Sequence, residues 1–186
     1  MEQSTFTNVN NPNNENDMPS LIQRLKDIGL IKKGNFILKS GLPSNLYFDF
    51  KGLISQPELI YEISIMLSEL ITCDNVCISG VPIGGIPYAV LVSQITKLPM
   101  VIIRDEKKTY GLCHQIEGNT FGRDMILIED VITTGASVMN TLEILKENGI
   151  NVKEILCILD RGVGGVQKIV DKGYTVKVIY HMNDIV

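Results

Sequence analysis

The chain has 186 residues, of which 45% are hydrophobic and 20% charged, which is ordinary for a globular protein of one domain with a small flap. Its formal net charge of −4 argues against a broad surface for nucleic acid or membrane. An anionic ligand would therefore have to be met by a few locally placed Lys and Arg side chains.

Cysteine and histidine positions indicate neither a disulfide framework nor a zinc site, since no two cysteines form a CxxC pair. We expect reduced thiols in a cytoplasmic protein. No run approaches the ~18 apolar residues of a membrane span, and the polar N-terminus is unlike a secretory signal. The residues concerned are Cys73, Cys77, Cys113, Cys157, His114 and His181.

Residues 1–17 are rich in Asn and poor in apolar positions, which predicts a disordered tail without an assigned function. The remaining residues, 18–186, are expected to form one domain. A first helix is predicted to open at Pro19, and a second at Pro57. Between them, residues 35–38 and 46–50 read as two short strands around a Gly-Leu-Pro-Ser turn. The predicted inward positions are Leu21, Ile22, Leu25 and Ile28, then Leu59, Ile60, Ile63, Leu67, Leu70 and Ile71.

From residue 76 onward, apolar strands alternate with turns and helices. This alternation predicts an α/β fold whose parallel sheet is covered on both faces. Ligands of such sheets bind beyond the carboxyl ends of the strands, where the Gly-rich turns fall. The predicted strands are 76–79, 100–103, 125–128, 155–159 and 175–179, with helices at 86–95 and from 136 to about 148, and a polar stretch at 104–119.

The most informative segment runs from Met125 to Ser137: four apolar residues, two acids at the strand tip, and a Thr-Thr-Gly-Ala-Ser loop entering a helix. A helix start offers backbone N–H groups to a phosphate, and Gly135 permits close approach. The paired carboxylates can accept hydrogen bonds from a sugar diol. A capped helix beside two solvated acids is the simpler alternative, but the whole run favours a ribose 5-phosphate pocket.

This segment resembles the phosphoribosyl-pyrophosphate signature of type I phosphoribosyltransferases. The resemblance implies a mostly parallel central sheet with flanking helices and a small N-terminal hood, formed mainly by residues 18–56 and the C-terminal part. It also implies that the acids hold the ribose hydroxyls while the following loop wraps the 5-phosphate. The implied donor-binding residues are Glu129, Asp130, Val131, Ile132, Thr133, Thr134, Gly135, Ala136 and Ser137.

Three further segments resemble orotate phosphoribosyltransferases, especially the form fused to a decarboxylase in UMP synthase. The first runs from Phe36 to Gly41 and is followed by Tyr47-Phe48-Asp49. The resemblance implies that Lys39 approaches the substrate and that Tyr47 and Phe48 flank orotate. Taken alone, these residues would equally suit an amphipathic hairpin with an exposed Lys.

The second segment ends in Asp160-Arg161. An Arg just past a strand end can pair bidentately with a carboxylate, although it can also be a surface Arg paired to Asp160. The resemblance implies that Arg161 and Thr133 contact orotate. Many members place an acid soon after this Arg, whereas here Gly162-Val163 follow.

The third segment is the polar stretch 104–118, whose length is typical of a functional loop, although a solvated charged loop is the default interpretation. The resemblance implies a homodimer in which this loop closes over the neighbouring site. Arg104, Lys108 and Tyr110 would then carry the catalytic contacts with pyrophosphate. Two departures affect the expected rate: Asp105 replaces a usual Lys, with Lys107 as a possible compensation, and Leu112-Cys113-His114 replaces a more polar stretch.

The implied reaction joins orotate to the phosphoribosyl group of phosphoribosyl pyrophosphate, with Mg²⁺ bound mainly through the substrate and with few direct protein ligands. Residues 80–85 match the pyrophosphate-side loop, with Gly84 where bacterial members carry Lys. Two alternatives stay open: a phosphoribosyltransferase for another base, which Lys39 and Arg161 disfavour, and a non-catalytic regulator that binds the donor. Neither a nucleic acid nor a membrane is an expected partner.

Overall fold

In the computed structural model, residues 20–37, 41, 43–105 and 115–185 are described. The first part holds helix α1 (Leu21–Asp27), the antiparallel pair β1 (Ile31–Ile37) and β2 (Pro43–Phe48), and helix α2 (Phe50–Leu53). A β-bulge interrupts the pairing of β1 and β2 between Lys33 and Phe36. Apolar side chains of this part share a buried cluster with Ile185 near the C-terminus.

The second part is a sheet of four parallel strands in the order β3-β6-β7-β8. A small antiparallel pair, β4 and β5, forms the stem of the 104–118 loop. The elements are α3 (Pro57–Glu69), β3 (Val76–Gly80), α4 (Ile86–Thr96), β4 (Ile102–Ile103), β5 (Ile116–Glu117), β6 (Asp124–Ile132), α5 (Ala136–Glu147), β7 (Val152–Asp160), α6 (Gly165–Val170), β8 (Thr175–His181) and a 3₁₀ turn (Met182–Asp184).

Two apolar cores cover the two faces of the sheet, because successive side chains of a strand point to opposite faces. Ile126 and Ile128 of β6 pack with residues of α3 and α4, such as Tyr88. Met125 and Leu127 pack on the other face with residues of α5, such as Val138. The predicted α/β architecture, with a parallel sheet covered on both faces, is confirmed.

Helix α3 begins at Pro57 as predicted, and Leu59, Ile60, Ile63 and Leu67 are buried on its inner face. The predicted start of α1 was wrong: Ser20 is the N-cap, and its Oγ accepts a hydrogen bond from the Gln23 N–H at 3.3 Å. Ile28 lies past the end of α1 and is 44% exposed. Leu70 and Ile71 follow the end of α3 and are only partly buried.

The other corrections concern element boundaries. Phe50, expected in a strand, opens α2, because the Asp49 carboxylate caps that helix by accepting from the Gly52 N–H at 3.0 Å. The expected strand 100–103 is reduced to β4 and an isolated bridge between Met100 and Ile78. Helices α2 and α6 were not predicted.

The Asn-rich tail and Pro19 lie outside the described residues. No helix within the described ranges is both long and apolar enough to cross a membrane.

Candidate active site

The acid pair lies at the carboxyl edge of the sheet, but inside β6 and not at its tip as predicted. Strand β3 ends opposite Ile128, whose carbonyl accepts from the Val81 N–H at 2.8 Å. Glu129 and Asp130 therefore extend past the end of the neighbouring strand. Asp130 lies beside Gly84, on the face that α4 covers, and Glu129 lies on the opposite face, close to Cys157.

Asp130 contacts the turn that follows β3. A Cβ atom added to Gly84 would lie only 2.4 Å from Asp130 Oδ2, so the carboxylate occupies the space beside the glycine. Its Oδ1 also accepts a hydrogen bond from the Val131 N–H at 2.7 Å. The turn at 80–85 and Asp130 thus form one continuous wall.

Glu129 is almost fully buried, with 5% of its surface exposed. Its Oε1 accepts a hydrogen bond from the Asp130 N–H at 3.2 Å. Burial raises the pKa of the neighbouring Cys157 thiol well above its ordinary value, and the Glu129 carboxylate raises it further. Cys157 is therefore an inert packing residue and not a nucleophile.

The loop after β6 has the geometry of an anion site. Gly135 has φ of +77°, which favours glycine, and it caps the 12-residue helix α5. Thr133 and Thr134 are half-buried, while Ala136 and Ser137 are exposed at the first turn of α5. Gly165 supports this loop from behind, since a Cβ there would lie 2.2 Å from the Thr133 carbonyl oxygen. A phosphate at this point would meet the first backbone N–H groups of α5 and the positive end of its dipole.

Two residues of the predicted donor-binding segment, Val131 and Ile132, pack into the core, and Ile132 also makes a backbone hydrogen bond. Ile132 is buried, with 1% of its surface exposed, and its carbonyl oxygen accepts a hydrogen bond from the Arg161 N–H at 3.0 Å. Val131 is partly buried against the core on the α4 face. The loop after β7 is thereby fixed beside the loop after β6.

Arg161 reaches from the end of β7 to the β1–β2 hairpin. Its Nη2 donates to Ser44 Oγ at 2.7 Å and to the Leu46 carbonyl oxygen at 3.1 Å. Burial lowers the pKa of Arg161 below its ordinary value, yet guanidinium groups stay charged in proteins. Asp160 does not pair with Arg161 here; its Oδ2 lies 3.5 Å from His181 Nδ1.

A cavity of about 650 Å³ opens between the hairpin and the loop after β7. Arg161 and Ser44 supply its charged and hydroxyl groups, and Asn35 and Asn45 supply two amides. A cationic wall with neutral donors and acceptors suits a flat acidic molecule. The lining residues are Asn35, Phe36, Ile37, Pro43, Ser44, Asn45, Arg161, Val163 and Met182.

The predicted aromatic pair is divided between two faces of β2. Tyr47 is 37% exposed, and its ring centroid lies 5.4 Å from that of Phe36. Phe48 is 8% exposed and stacks on Phe50 in the core. Tyr47 and Phe36 are thus on the accessible side of the hairpin, whereas Phe48 supports it from below.

Part of the predicted catalytic loop is described. Arg104 Nε pairs with Glu117 Oε1 at 3.0 Å, and the Asp105 carbonyl oxygen accepts from Gln115 Nε2 at 3.4 Å. Both Arg104 and Asp105 are exposed. Lys39, Lys107, Lys108, Tyr110 and residues 112–114 lie outside the described residues, so their roles stay predictions.

Two residues of the site were missed by sequence reasoning. Gly165 belongs to a Gly-Val-Gly-Gly run directly after Arg161, and a Gly-rich turn at a strand end is a signal that could have been used. Ser44 carries no such signal, because its partner is 117 positions away in the chain.

The amino-acid sequence of this chain is similar to those of known proteins over most of its length. The chain is 37% identical over 150 residues to the orotate phosphoribosyltransferase of Methanocaldococcus jannaschii, covering 80% of this chain and 85% of that protein. The chain belongs to the orotate phosphoribosyltransferase family. The orotate phosphoribosyltransferase of Methanosphaera stadtmanae is 39% identical to this chain over 146 residues, which cover 77% of this chain and 82% of that protein. No protein-family model matches.

Longer relatives and solved structures agree with this family. Bovine uridine 5'-monophosphate synthase is 39% identical over 160 residues, or 83% of this chain, which spans 33% of that protein. The crystal structure of orotate phosphoribosyltransferase from Aeropyrum pernix has a TM-score of 0.75 at 27% identity, covering 89% of this chain and 95% of that one. The structure of Leishmania donovani UMP synthase has a TM-score of 0.78 at 26% identity, and the match covers 89% of this chain and 36% of that one.

Proposed function

We propose that this chain transfers the 5-phosphoribosyl group from phosphoribosyl pyrophosphate to orotate, giving orotidine 5'-monophosphate and pyrophosphate for pyrimidine biosynthesis. The observation that carries the proposal is the 37–39% identity to orotate phosphoribosyltransferases over most of the chain. The wall formed by Asp130 and Gly84, and the anion loop at Gly135, supply the matching geometry.

The donor's ribose 5-phosphate would bind at the anion loop. Its phosphate oxygens accept hydrogen bonds from the backbone N–H groups at the start of α5 and from the hydroxyls of Thr133, Thr134 and Ser137. The ribose hydroxyls donate to Glu129 and Asp130. Since both carboxylates already accept one backbone N–H each, they are held in place before the sugar arrives.

The acceptor would bind in the cavity between the hairpin and Arg161. Arg161 meets the carboxylate, Tyr47 and Phe36 provide an aromatic flank, and Lys39 is assigned to this region by sequence alone. Arg161 would distinguish orotate from uracil, because uracil has no carboxylate and would leave the guanidinium group unpaired.

The displacement forms a bond between orotate N1 and the anomeric carbon and breaks the bond from that carbon to the pyrophosphate oxygen. Charge leaves with the pyrophosphate, and the ribose ring develops oxocarbenium character. Orotate loses its N1 proton easily, so the chain need not supply a strong general base. Its own residues bind, orient and stabilise charge.

Magnesium fits this arrangement as an ion held mainly by substrate phosphates and water. Asp130 is the partly exposed carboxylate at the edge, whereas Glu129 is buried. Within the described ranges, His, Cys, Asp and Glu side chains form no group of three that could hold a metal ion. Bound through the donor, Mg²⁺ would supply charge stabilisation to the leaving group.

We further propose a homodimer whose 104–118 loop closes over the neighbouring site, with Lys108 and Tyr110 meeting pyrophosphate. The β4–β5 stem and the Arg104–Glu117 pair support the idea of a loop anchored at both ends. We also propose a cytoplasmic location, because Cys73, Cys77 and Cys157 are free thiols and reduced thiols are usual in that compartment.

Turnover tests the proposal directly. Purified chain with orotate, phosphoribosyl pyrophosphate and Mg²⁺ should consume orotate, followed by its absorbance, and produce pyrophosphate. Asp130→Asn should weaken donor binding about tenfold or more, since a neutral amide is the poorer acceptor. Asp171→Asn changes an exposed carboxylate that accepts a hydrogen bond from Gln167 Nε2 at 2.8 Å, so it is the matched control and should behave as wild type.

The two alternatives predict other outcomes. Consumption of a purine base in place of orotate would identify a phosphoribosyltransferase of different specificity. Donor binding by calorimetry without turnover of any base would identify a regulator, and would contradict the proposed function.

A further inference from the structure

The contact between Ser44 and Arg161 joins the two walls of the acceptor cavity. Ser44 lies on β2, and Arg161 follows β7, yet Nη2 of the guanidinium lies 2.7 Å from the serine Oγ. Both side chains line the cavity. This short charge-assisted hydrogen bond therefore lies where an acceptor would bind.

The direction of every hydrogen bond at Ser44 is determined. Its hydroxyl donates to the Leu46 carbonyl oxygen at 2.6 Å, so its lone pairs are left to accept. They accept from Arg161 Nη2 and, at 3.2 Å, from the Leu46 N–H. Ser44 is thus a fixed acceptor and cannot rotate away without losing its own donor bond.

The same geometry determines which part of Arg161 is available. The two acceptors of Nη2 are the Ser44 hydroxyl and the Leu46 carbonyl, and they lie 2.6 Å apart, on one side of the nitrogen. Within the described part of the chain, neither Nε nor Nη1 makes a hydrogen bond. Leu46 is 3% exposed, so this anchor belongs to the packed base of the hairpin.

We propose that Ser44 is a positioning residue for the acceptor's carboxylate: it pins the Nη2 corner of Arg161 against β2 and thereby presents the remaining guanidinium donors to the cavity. The inference rests on the proposed function, because orotate supplies the carboxylate. An unpinned arginine would lose rotamer freedom on binding, and that entropic cost would weaken affinity for the acceptor. Ser44 removes this cost beforehand.

Steady-state kinetics of Ser44→Ala provide the test. The KM for orotate should rise about tenfold, the effect of losing one hydrogen bond to a charged group. The KM for the donor and kcat should stay within about twofold, because the carboxylate keeps its charge and its bonds throughout the displacement, so its contact with Arg161 is uniform binding. Ser44→Thr keeps the hydroxyl and should restore a KM close to wild type.

Two controls separate positioning from structure. Ser68→Ala removes a hydroxyl that donates to a backbone carbonyl of α3, away from the cavity, and should leave both KM values unchanged. In an Arg161→Ala background, Ser44→Ala should add almost nothing, because a residue that acts through Arg161 has no effect without it. Should Ser44→Ala fail to fold, Ser44→Cys replaces it, since sulfur is similar in shape but a weak acceptor.

Three results would count against the inference. An unchanged KM for orotate in Ser44→Ala, or an equal further loss in the Arg161→Ala background, would make Ser44 a structural residue only. A wild-type chain that neither consumes nor binds orotate would overturn the proposed function as well. Normal wild-type turnover with an unaffected Ser44→Ala overturns this inference alone.

Discussion

At the scale of single residues, burial determines the protonation state of the Tyr88 hydroxyl. Tyr88 of α4 is 1% exposed, and its hydroxyl is buried without a hydrogen-bond partner in the described residues. Burial raises the pKa of its phenol well above the ordinary value of 10, and the charge of Asp130 raises it further. Tyr88 is therefore protonated at any pH at which the protein works, and its donor is unsatisfied.

Replacing that hydroxyl should stabilise the fold. Tyr88→Phe should raise the free energy of unfolding by about 1 kcal/mol, because an unsatisfied buried donor carries a desolvation cost of that order. Urea denaturation measures the change. Tyr61→Phe, at a position 50% exposed, should change the free energy by less than about 0.5 kcal/mol. Destabilisation by Tyr88→Phe would instead reveal a partner for the hydroxyl, such as ordered water.

At the scale of elements, a polar cluster joins the end of α3 to β7 and β8. Lys177 Nζ donates to the Leu70 carbonyl at 2.8 Å, to Thr72 Oγ1 at 2.7 Å and to Glu154 Oε1 at 2.7 Å. Burial, the largest single influence on Glu154, raises its pKa. The hydrogen bonds from Lys177 and Thr72 together outweigh burial, so the pKa lies below its ordinary value of 4.5.

A lowered carboxyl pKa means that the ionised form stabilises the folded state. This contribution is complete above pH ~4.5, the unfolded value, and is lost as pH falls through the folded pKa. Glu154→Gln should therefore cost about 1 kcal/mol at pH 7, and its difference from wild type should shrink between pH ~5 and ~3. Urea unfolding at several pH values tests this. Glu143→Gln, an exposed position on α5, is the control, and a difference independent of pH would disprove the linkage.

Elements whose patterns are local were predictable from sequence, and those that depend on distant partners were not. The apolar run of β6 and the Thr-Thr-Gly-Ala-Ser loop predicted a strand, an anion loop and helix α5. Helix α6 has six residues and begins among glycines, so its pattern is too short to recognise. The position of the Arg161 side chain depends on Ser44 and Leu46, more than 110 positions away, and no local pattern contains that information.

For the whole molecule, the proposed loop exchange makes the active site a property of the dimer. Lys108→Ala chains should turn over poorly, as should chains with Glu129→Gln and Asp130→Asn together. Mixing the two should restore part of the activity, because one site of each mixed dimer then has an intact acid pair and an intact loop from its partner. Turnover of the mixture is measured after mixed dimers have been demonstrated by tagged co-purification. A mixture as inactive as its parents would show that each loop serves its own chain.

The contact between Gly84 and Asp130 also limits how this site can change by descent or by design. Any side chain at position 84, including the lysine implied for bacterial relatives, would displace the carboxylate, whose Oδ2 would lie 2.4 Å from the new Cβ. Because those atoms are the far end of the Asp130 side chain, the carboxylate could move away by adopting another rotamer. Its present position against the turn is therefore available only while residue 84 has no side chain, and a lysine there would share this space with the acid.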